Sequence, residues 1–152
     1  MTAAPAVASD PAVAATLRLA EEYHDAARAL LSAGPSAEAG ARAPARFCAL
    51  HAIELYLDAF LRVAGESPGR LRAHSHNFGL RAALAMRAGL DLRRKTALHL
   101  VRLTAARTYV ADRYGPTRTA EPCEMNRLAA TLEEIARKVR DALGRSPCTA
   151  AA

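Results

Sequence analysis

Glycine and proline residues that break helices divide this chain into segments, and that division limits the fold more than any single motif does. The breaks fall at Gly34-Pro35, in the run from Gly65 to Gly69 and at Gly115-Pro116. Between them, apolar residues recur at helical spacing in segments rich in Ala, Leu and Arg, which are good helix formers. No segment alternates apolar and polar residues with β-branched enrichment, so the sequence predicts helices and no strands.

Start and stop signals along the chain predict five helices. They run from Asp10 to Gly34, from about Ala41 to Ala64, from near Ser75 or Asn77 to Gly89, from Asp91 to about Tyr114, and from Glu121-Pro122 to Gly144. Asp91 is the predicted cap of the fourth of these helices. Short connections favour antiparallel neighbours. The sequence therefore predicts an all-α fold, a single antiparallel up-and-down bundle of four to five helices over residues 10–144. Residues 1–9 and 145–152 are expected to form flexible tails.

Several absences bear on the cellular compartment. No apolar stretch approaches the roughly 18 residues that a membrane span needs, and residues 1–9 lack the basic start and long apolar run of a signal peptide. The cysteines Cys48, Cys123 and Cys148 are widely spaced and odd in number, so they indicate neither a disulfide framework nor a zinc site. We therefore expect a cytoplasmic protein with no membrane association, no metal and no other cofactor.

The positive charge of the chain is concentrated in its middle. The net charge is +6, but residues 62–118 hold 12 Lys and Arg against 3 Asp and Glu, an excess of +9. Residues 1–61 hold 4 against 7, and residues 119–152 hold 5 against 5. Such asymmetry favours an anionic partner, nucleic acid first. The alternative interpretation is an arginine-rich surface that is merely solvated.

Glu54 interrupts an apolar face of the second predicted helix. That face is formed by Phe47, Leu50, Leu57 and Leu61. A carboxylate there is at least partly desolvated and needs a partner. Glu54 could instead lie at the rim of the core, paired with Arg62 or another arginine.

Arg107 and Tyr114 fall on the apolar face of the fourth predicted helix. At about 100° per residue, that face also carries Leu92, Leu100, Leu103 and Val110. An arginine facing the core is costly unless it meets an anion. The anion could be Glu54, in a structural ion pair, or a phosphate, which suits the planar guanidinium group.

Other polar residues carry weaker signals. His51 and Glu54 are three residues apart, but this is the reverse of the Glu-x-x-His order of bundle metal sites and occurs once, so no metal site is predicted. Arg93, Arg94 and Lys95 open the fourth helix, where cations oppose the helix dipole. Together with other arginines of the middle segment they could form a basic rim.

Three stretches of the chain resemble HEPN domains. The segment FCALHAIELYLDAFLRVAG resembles the family's second helix, with Ala52, Glu54, Asp58 and Ala59 on its Ala-x-Glu-x-x-x-Lys-Ala pattern, where Asp58 stands in place of Lys. The segment HNFGLRAALAMRAGL resembles the family's His-Asp-Leu stretch, and ARTYVADRYGP resembles the stretch that ends in Arg-Tyr-Pro. The likeness covers residues 10–143 in layout. It implies an antiparallel helical bundle that commonly forms a homodimer.

The family's catalytic signature is altered in this chain. Many HEPN proteins are metal-independent ribonucleases, often toxins or defence effectors, whose signature is Arg, four to six residues, then His. Here Arg107 is followed at that spacing by Asp112, with Tyr114 after it. An ordinary Asp has a pKa near 3.9, so it would be a poor proton donor at neutral pH. Arg94 and His99 also fit the spacing, but they lie at the start of the fourth helix.

The resemblance therefore implies a non-nuclease member that binds RNA or a nucleotide through its basic central segment, beside a partner such as a nucleotidyltransferase. The candidate ligand-binding residues are Arg107, Tyr114, Glu54, Arg113, His99 and Arg94. One alternative is a metal-independent ribonuclease of a toxin or defence system, using Arg107 with Asp112 or Arg94 with His99. Another is a helical module that only binds proteins, suggested by the second helix being apolar on two sides.

Overall fold

The structure of the chain, a computed structural model, describes residues 10–32, 39–106 and 122–144. Six helices lie within these residues: α1 (Pro11–Leu31), α2 (Ala39–Val63), α3 (Pro68–Ala73), α4 (Phe78–Arg87), α5 (Arg94–Ala105) and α6 (Pro122–Gly144). The described residues contain no strand, so the prediction of an all-α fold is confirmed. The predicted tails, residues 1–9 and 145–152, lie outside the described residues.

The helix starts follow local capping signals. The Asp10 side chain accepts a hydrogen bond of 2.8 Å from the Ala12 amide, and Pro11 occupies the first helical position, as predicted. Of the two predicted starts for the helix before Gly89, the structure has Asn77, whose side chain accepts a hydrogen bond of 2.9 Å from the Leu80 amide.

Compared with the prediction, the structure has one additional helix and one shorter helix. A short helix, α3, follows the break that begins at Gly65, because Ser67 caps the Arg70 amide and Pro68 suits the first turn. The described residues therefore hold six helices rather than four to five. The helix that was predicted to run to Tyr114 ends at Ala105.

The second helix is the centre of the core. α2 contacts α1, α4 and α6, and α4 in turn contacts α5. Its buried side chains, from both apolar faces, include Leu50, Ile53, Tyr56, Leu57 and Leu61. Burying a large apolar side chain contributes about 1.5–3 kcal/mol, so this helix organises the fold. Two apolar faces indicate a helix that is either central or covered by a partner, and the structure has α2 at the centre of the core.

A tight connection sets α5 beside α4. Gly89 has a φ of +104°, a left-handed conformation that favours glycine, and the Leu90 amide donates back to the Ala85 carbonyl at 2.9 Å. Leu90 and Leu92 are buried, which fixes the connection to the core. None of the helices in the described residues is both long and apolar enough to cross a membrane.

Candidate functional site

Four of the predicted site residues cannot be placed. Arg107, Asp112, Arg113 and Tyr114 fall between residues 106 and 122, outside the described residues. The geometry of the altered HEPN signature therefore stays a prediction. Glu54, Arg94 and His99 are described, and each has defined neighbours.

Glu54 is buried at the edge of the core and pairs with an arginine that the sequence did not single out. Its Oε1 atom lies 3.2 Å from Nη2 of Arg81 on α4. Its Oε2 atom lies 3.2 Å from Nδ1 of His76 and 4.0 Å from Nδ1 of His51. The expectation of an arginine partner was right, but Arg81 rather than Arg62 supplies the contact.

Arg81 connects α2 to the segment between α3 and α4. Its side chain is only 2% exposed. Nε donates to the Asp58 carboxylate at 2.7 Å, Nη2 donates to the Leu71 carbonyl at 3.2 Å, and Nη1 donates to the Ser75 carbonyl. Ser75 adopts a left-handed φ of +49°, a conformation uncommon for a residue other than glycine. The donors of Arg81 are therefore occupied by the protein itself.

The two carboxylates around Arg81 differ in their electrostatics. Burial acts to raise the pKa of Glu54, but the nearby His51 side chain and the charges of Arg81 and His76 together hold that pKa below its usual value. Burial raises the pKa of Asp58 despite its contact with Arg81. Glu54 is accordingly the better stabilised anion of the pair.

These residues line an open cleft of about 540 Å³. Its charged and histidine lining residues are Glu54, Asp58, Arg62, Arg72, His76 and Arg81, with Thr16 of α1 on one wall. No hydrogen bond or ion pair joins the guanidinium group of Arg62 or Arg72 to the described residues. Three arginines thus face two carboxylates, so with neutral histidine the cleft carries one surplus positive charge.

A second polar cluster is buried in the core, where α1, α2 and α6 meet. His24 is fully buried, with Nδ1 3.1 Å from the Tyr56 hydroxyl and Nε2 2.8 Å from Oε1 of Glu133. Nη2 of Arg140 donates to the Tyr56 hydroxyl at 2.9 Å and lies 3.3 Å from Nδ1 of His24. Because Arg140 can only donate, we assign Nδ1 as an acceptor and Nε2–H as the donor to Glu133.

The rim of this cluster consists of charged pairs. Arg28 holds Glu133 with two hydrogen bonds, and Arg140 holds Glu21 in the same way. Burial raises the pKa of Tyr56, so the phenol stays protonated. The cluster joins three helices, and all of Tyr56 is buried, so a structural role accounts for it. Helical spacing predicts that Tyr23 or His24 lies on the apolar face of α1, and His24 is the one that is fully buried.

Arg94 and His99 are not brought together. Five residues apart on α5, they project about 140° from each other around the helix axis. His99 faces α6, where Nδ1 lies 2.8 Å from the Thr131 hydroxyl, whereas Arg94 lines a groove between α4 and α5. Burial, followed by the charges of Arg127 and Arg102, lowers the pKa of His99. This arrangement does not support a catalytic pair.

The basic start of α5 has a structural partner. Glu134 of α6 accepts the Arg93 amide at 2.9 Å, the Arg93 guanidinium at 2.8 Å and the Thr96 hydroxyl. It therefore caps α5 from another helix, and Asp91, the predicted cap, has a side chain that is 98% exposed. Arg93 was expected to contribute to a basic rim here, but its guanidinium group is bound by Glu134.

Within the described part of the chain, no three His, Cys, Asp or Glu side chains are grouped so that they could hold a metal ion. The chain matches no family model, no curated protein and no solved structure, so its resemblance to HEPN domains stays a prediction.

Proposed function

We propose that this chain is a helical module that binds RNA or a nucleotide through its basic central segment, and that the cleft lined by Arg62 and Arg72 takes part in that binding. The observation that carries the proposal is that, among the described residues, nothing pairs with the two guanidinium groups of Arg62 and Arg72 in one open cleft. Guanidinium groups suit phosphate because they can donate two parallel hydrogen bonds to it.

The buried arginine makes the cleft suitable for an anion. Two carboxylates in the wall would repel a phosphate if they were unpaired. Arg81 contacts both Glu54 and Asp58, at 3.2 and 2.7 Å, and so offsets one of their two negative charges. Arg62 and Arg72 are then left to meet the ligand. The cleft volume of about 540 Å³ lies within the usual size of small-ligand sites.

The finer parts of the proposal rest on the resemblance to HEPN domains. They are an antiparallel up-and-down arrangement of the helices, a homodimer, a cytoplasmic location and a nucleotidyltransferase partner. Asp112 in place of the family's His favours binding without cleavage, because a carboxylate is a poor proton donor at neutral pH. The ribonuclease alternative would need Arg107 and Asp112 to act together.

The test is binding and cleavage of a fluorescein-labelled single-stranded RNA, and binding of ATP, by the pure protein in EDTA. We expect salt-dependent binding of RNA or ATP and intact RNA after long incubation. If the wild type cleaves the RNA and Arg107→Ala does not, the protein is a ribonuclease instead. Absence of binding to both RNA and ATP at low salt would overturn the proposal.

A further inference from the structure

A second surface feature lies on the α4 and α5 helices. A groove of about 290 Å³ runs between them, with Gly79 and Ala82 at its floor and Met86, Leu98 and Val101 along its sides. Its other lining residues are Ala83, Leu92, Arg94 and Ala97. None of these residues lines the cleft around Arg62, Arg72 and Arg81, which we call the arginine cleft, so the groove is a separate feature.

The sides of the groove expose large apolar side chains. Met86 is 41% exposed, Leu98 is 46% exposed and Val101 is 53% exposed. On α5, Arg94, Leu98, Val101 and Ala105 are spaced i, i+4, i+7 and i+11, so they form one stripe along the helix. Three of the five exposed large hydrophobic side chains among the described residues therefore lie in one place, and clustered exposure of this kind marks interaction surfaces.

The groove is already formed in the isolated chain. At Gly79 a Cβ atom would lie 3.2 Å from the Cα atom of Val101, so the two helices approach as closely as glycine permits. The Gly79 amide also donates to the Thr104 hydroxyl at 3.0 Å. A preformed groove loses little entropy when a partner binds.

Exposed basic side chains flank the groove on both helices. Arg87 on the outer side of α4, and Lys95 and Arg102 on the outer side of α5, are exposed, and Arg94 lies in the lining. The sequences of α4 and α5 contain no Asp or Glu. A second copy of this chain placed groove to groove would bring like charges together, which opposes a symmetric dimer here.

We propose that the groove binds an amphipathic helix of a partner protein whose apolar stripe is flanked by Asp and Glu. Its apolar side chains would cover Met86, Leu98 and Val101, and its carboxylates would meet the arginines at the border. Helices bind grooves in this way through anchors at i, i+4 and i+7. The inference is independent of the proposed ligand of the arginine cleft.

The test uses a fluorescein-labelled helical peptide with leucines at i, i+4 and i+7 and glutamates on both flanks, and a matched peptide with lysines in place of glutamates. Anisotropy should show the acidic peptide binding at least about 10-fold more tightly than the basic one, which corresponds to about 1.4 kcal/mol. The double variant Leu98→Ser with Val101→Ser should bind the acidic peptide more weakly by a similar factor. Leu19→Ser, an exposed leucine of α1, is the control and should leave binding unchanged.

Equal binding of the two peptides, or binding that is unaffected by Leu98→Ser with Val101→Ser, would overturn the proposal. So would absence of acidic peptide binding at low salt. A dimer in sedimentation that dissociates in Val101→Glu would show that the groove holds a second copy instead.

Discussion

Nε of Arg81 on α4 lies 2.7 Å from the Asp58 carboxylate on α2, and the exposed fraction of the Arg81 side chain is only 2%. The same guanidinium group contacts Glu54 and two main-chain carbonyls. One side chain thus connects the walls of the arginine cleft and offsets part of the negative charge of the carboxylates that line it.

We predict that Arg81→Met destabilises the fold by about 3–5 kcal/mol, because two buried carboxylates lose their shared cation. Adding Glu54→Gln and Asp58→Asn to that variant should recover part of the loss. Urea unfolding measures both effects. Arg87→Met, at an exposed arginine of the same helix, should change the free energy of unfolding by no more than about 0.5 kcal/mol. Equal losses at positions 81 and 87 would contradict this account.

Tyr56→Phe should lower the free energy of unfolding by about 1–3 kcal/mol, since Arg140 and His24 each lose a hydrogen-bond partner inside the core. Tyr23→Phe is the matched control, because no hydrogen bond joins the Tyr23 hydroxyl to the described residues. Thermal and urea unfolding should show a larger loss of stability for Tyr56→Phe than for Tyr23→Phe. Similar stability of the two variants would argue against the buried network.

The stability of the fold should depend on the protonation of His99. Because burial lowers its folded-state pKa, the unfolded chain takes up the proton first as the pH falls below about 6.5. The stability that neutral His99 contributes is fully present above its unfolded-state pKa and is lost as the pH falls below that value. Relative to His99→Gln, which keeps a partner for Thr131, the wild type should lose stability between about pH 7.5 and pH 5.5. Parallel stability curves for the two proteins would refute the prediction.

Capping of α5 by Glu134 can be tested by Glu134→Gln. The charged hydrogen bonds to the Arg93 amide and the Thr96 hydroxyl would be replaced by weaker ones, so we expect a loss of about 1–3 kcal/mol. Amide hydrogen exchange in the first turn of α5 should become faster. Asp141→Asn, an exposed carboxylate of the same helix, should leave exchange in α5 as it is in the wild type.

Local signals were enough to predict much of the fold. Asp10 and Pro11 start α1 because a cap and a first-turn proline act on their own helix. The two apolar faces of α2 limited it to a central position or to one covered by a partner, and packing against three other helices decided between them. Capping by Asp91 was wrong because Glu134, 41 residues from Arg93 along the chain, provides the cap. A contact of that sequence separation leaves no local pattern.

The candidate site was predictable only in part. A carboxylate on an apolar face indicated that Glu54 would need a cation, and it has one. The identity of that cation depends on how α4 packs against α2, and Arg81 lies 23 residues from Asp58. Arg62 and Arg72 belong to the basic segment that the charge distribution singled out, but only the packing of α3 beside α2 brings them to one cleft.

The measurement that tests the central claim most directly is the salt dependence of RNA binding by wild type, by Arg62→Ser with Arg72→Ser, and by Arg137→Ser. Arg137 is an exposed arginine of α6 outside the cleft, so its variant loses a charge without touching the site. We predict that the double variant binds at least about 10-fold more weakly and that the slope of log affinity against log salt falls by roughly 1 to 2, with little change in Arg137→Ser. The same affinity and slope in the double variant as in the wild type would contradict binding at this cleft.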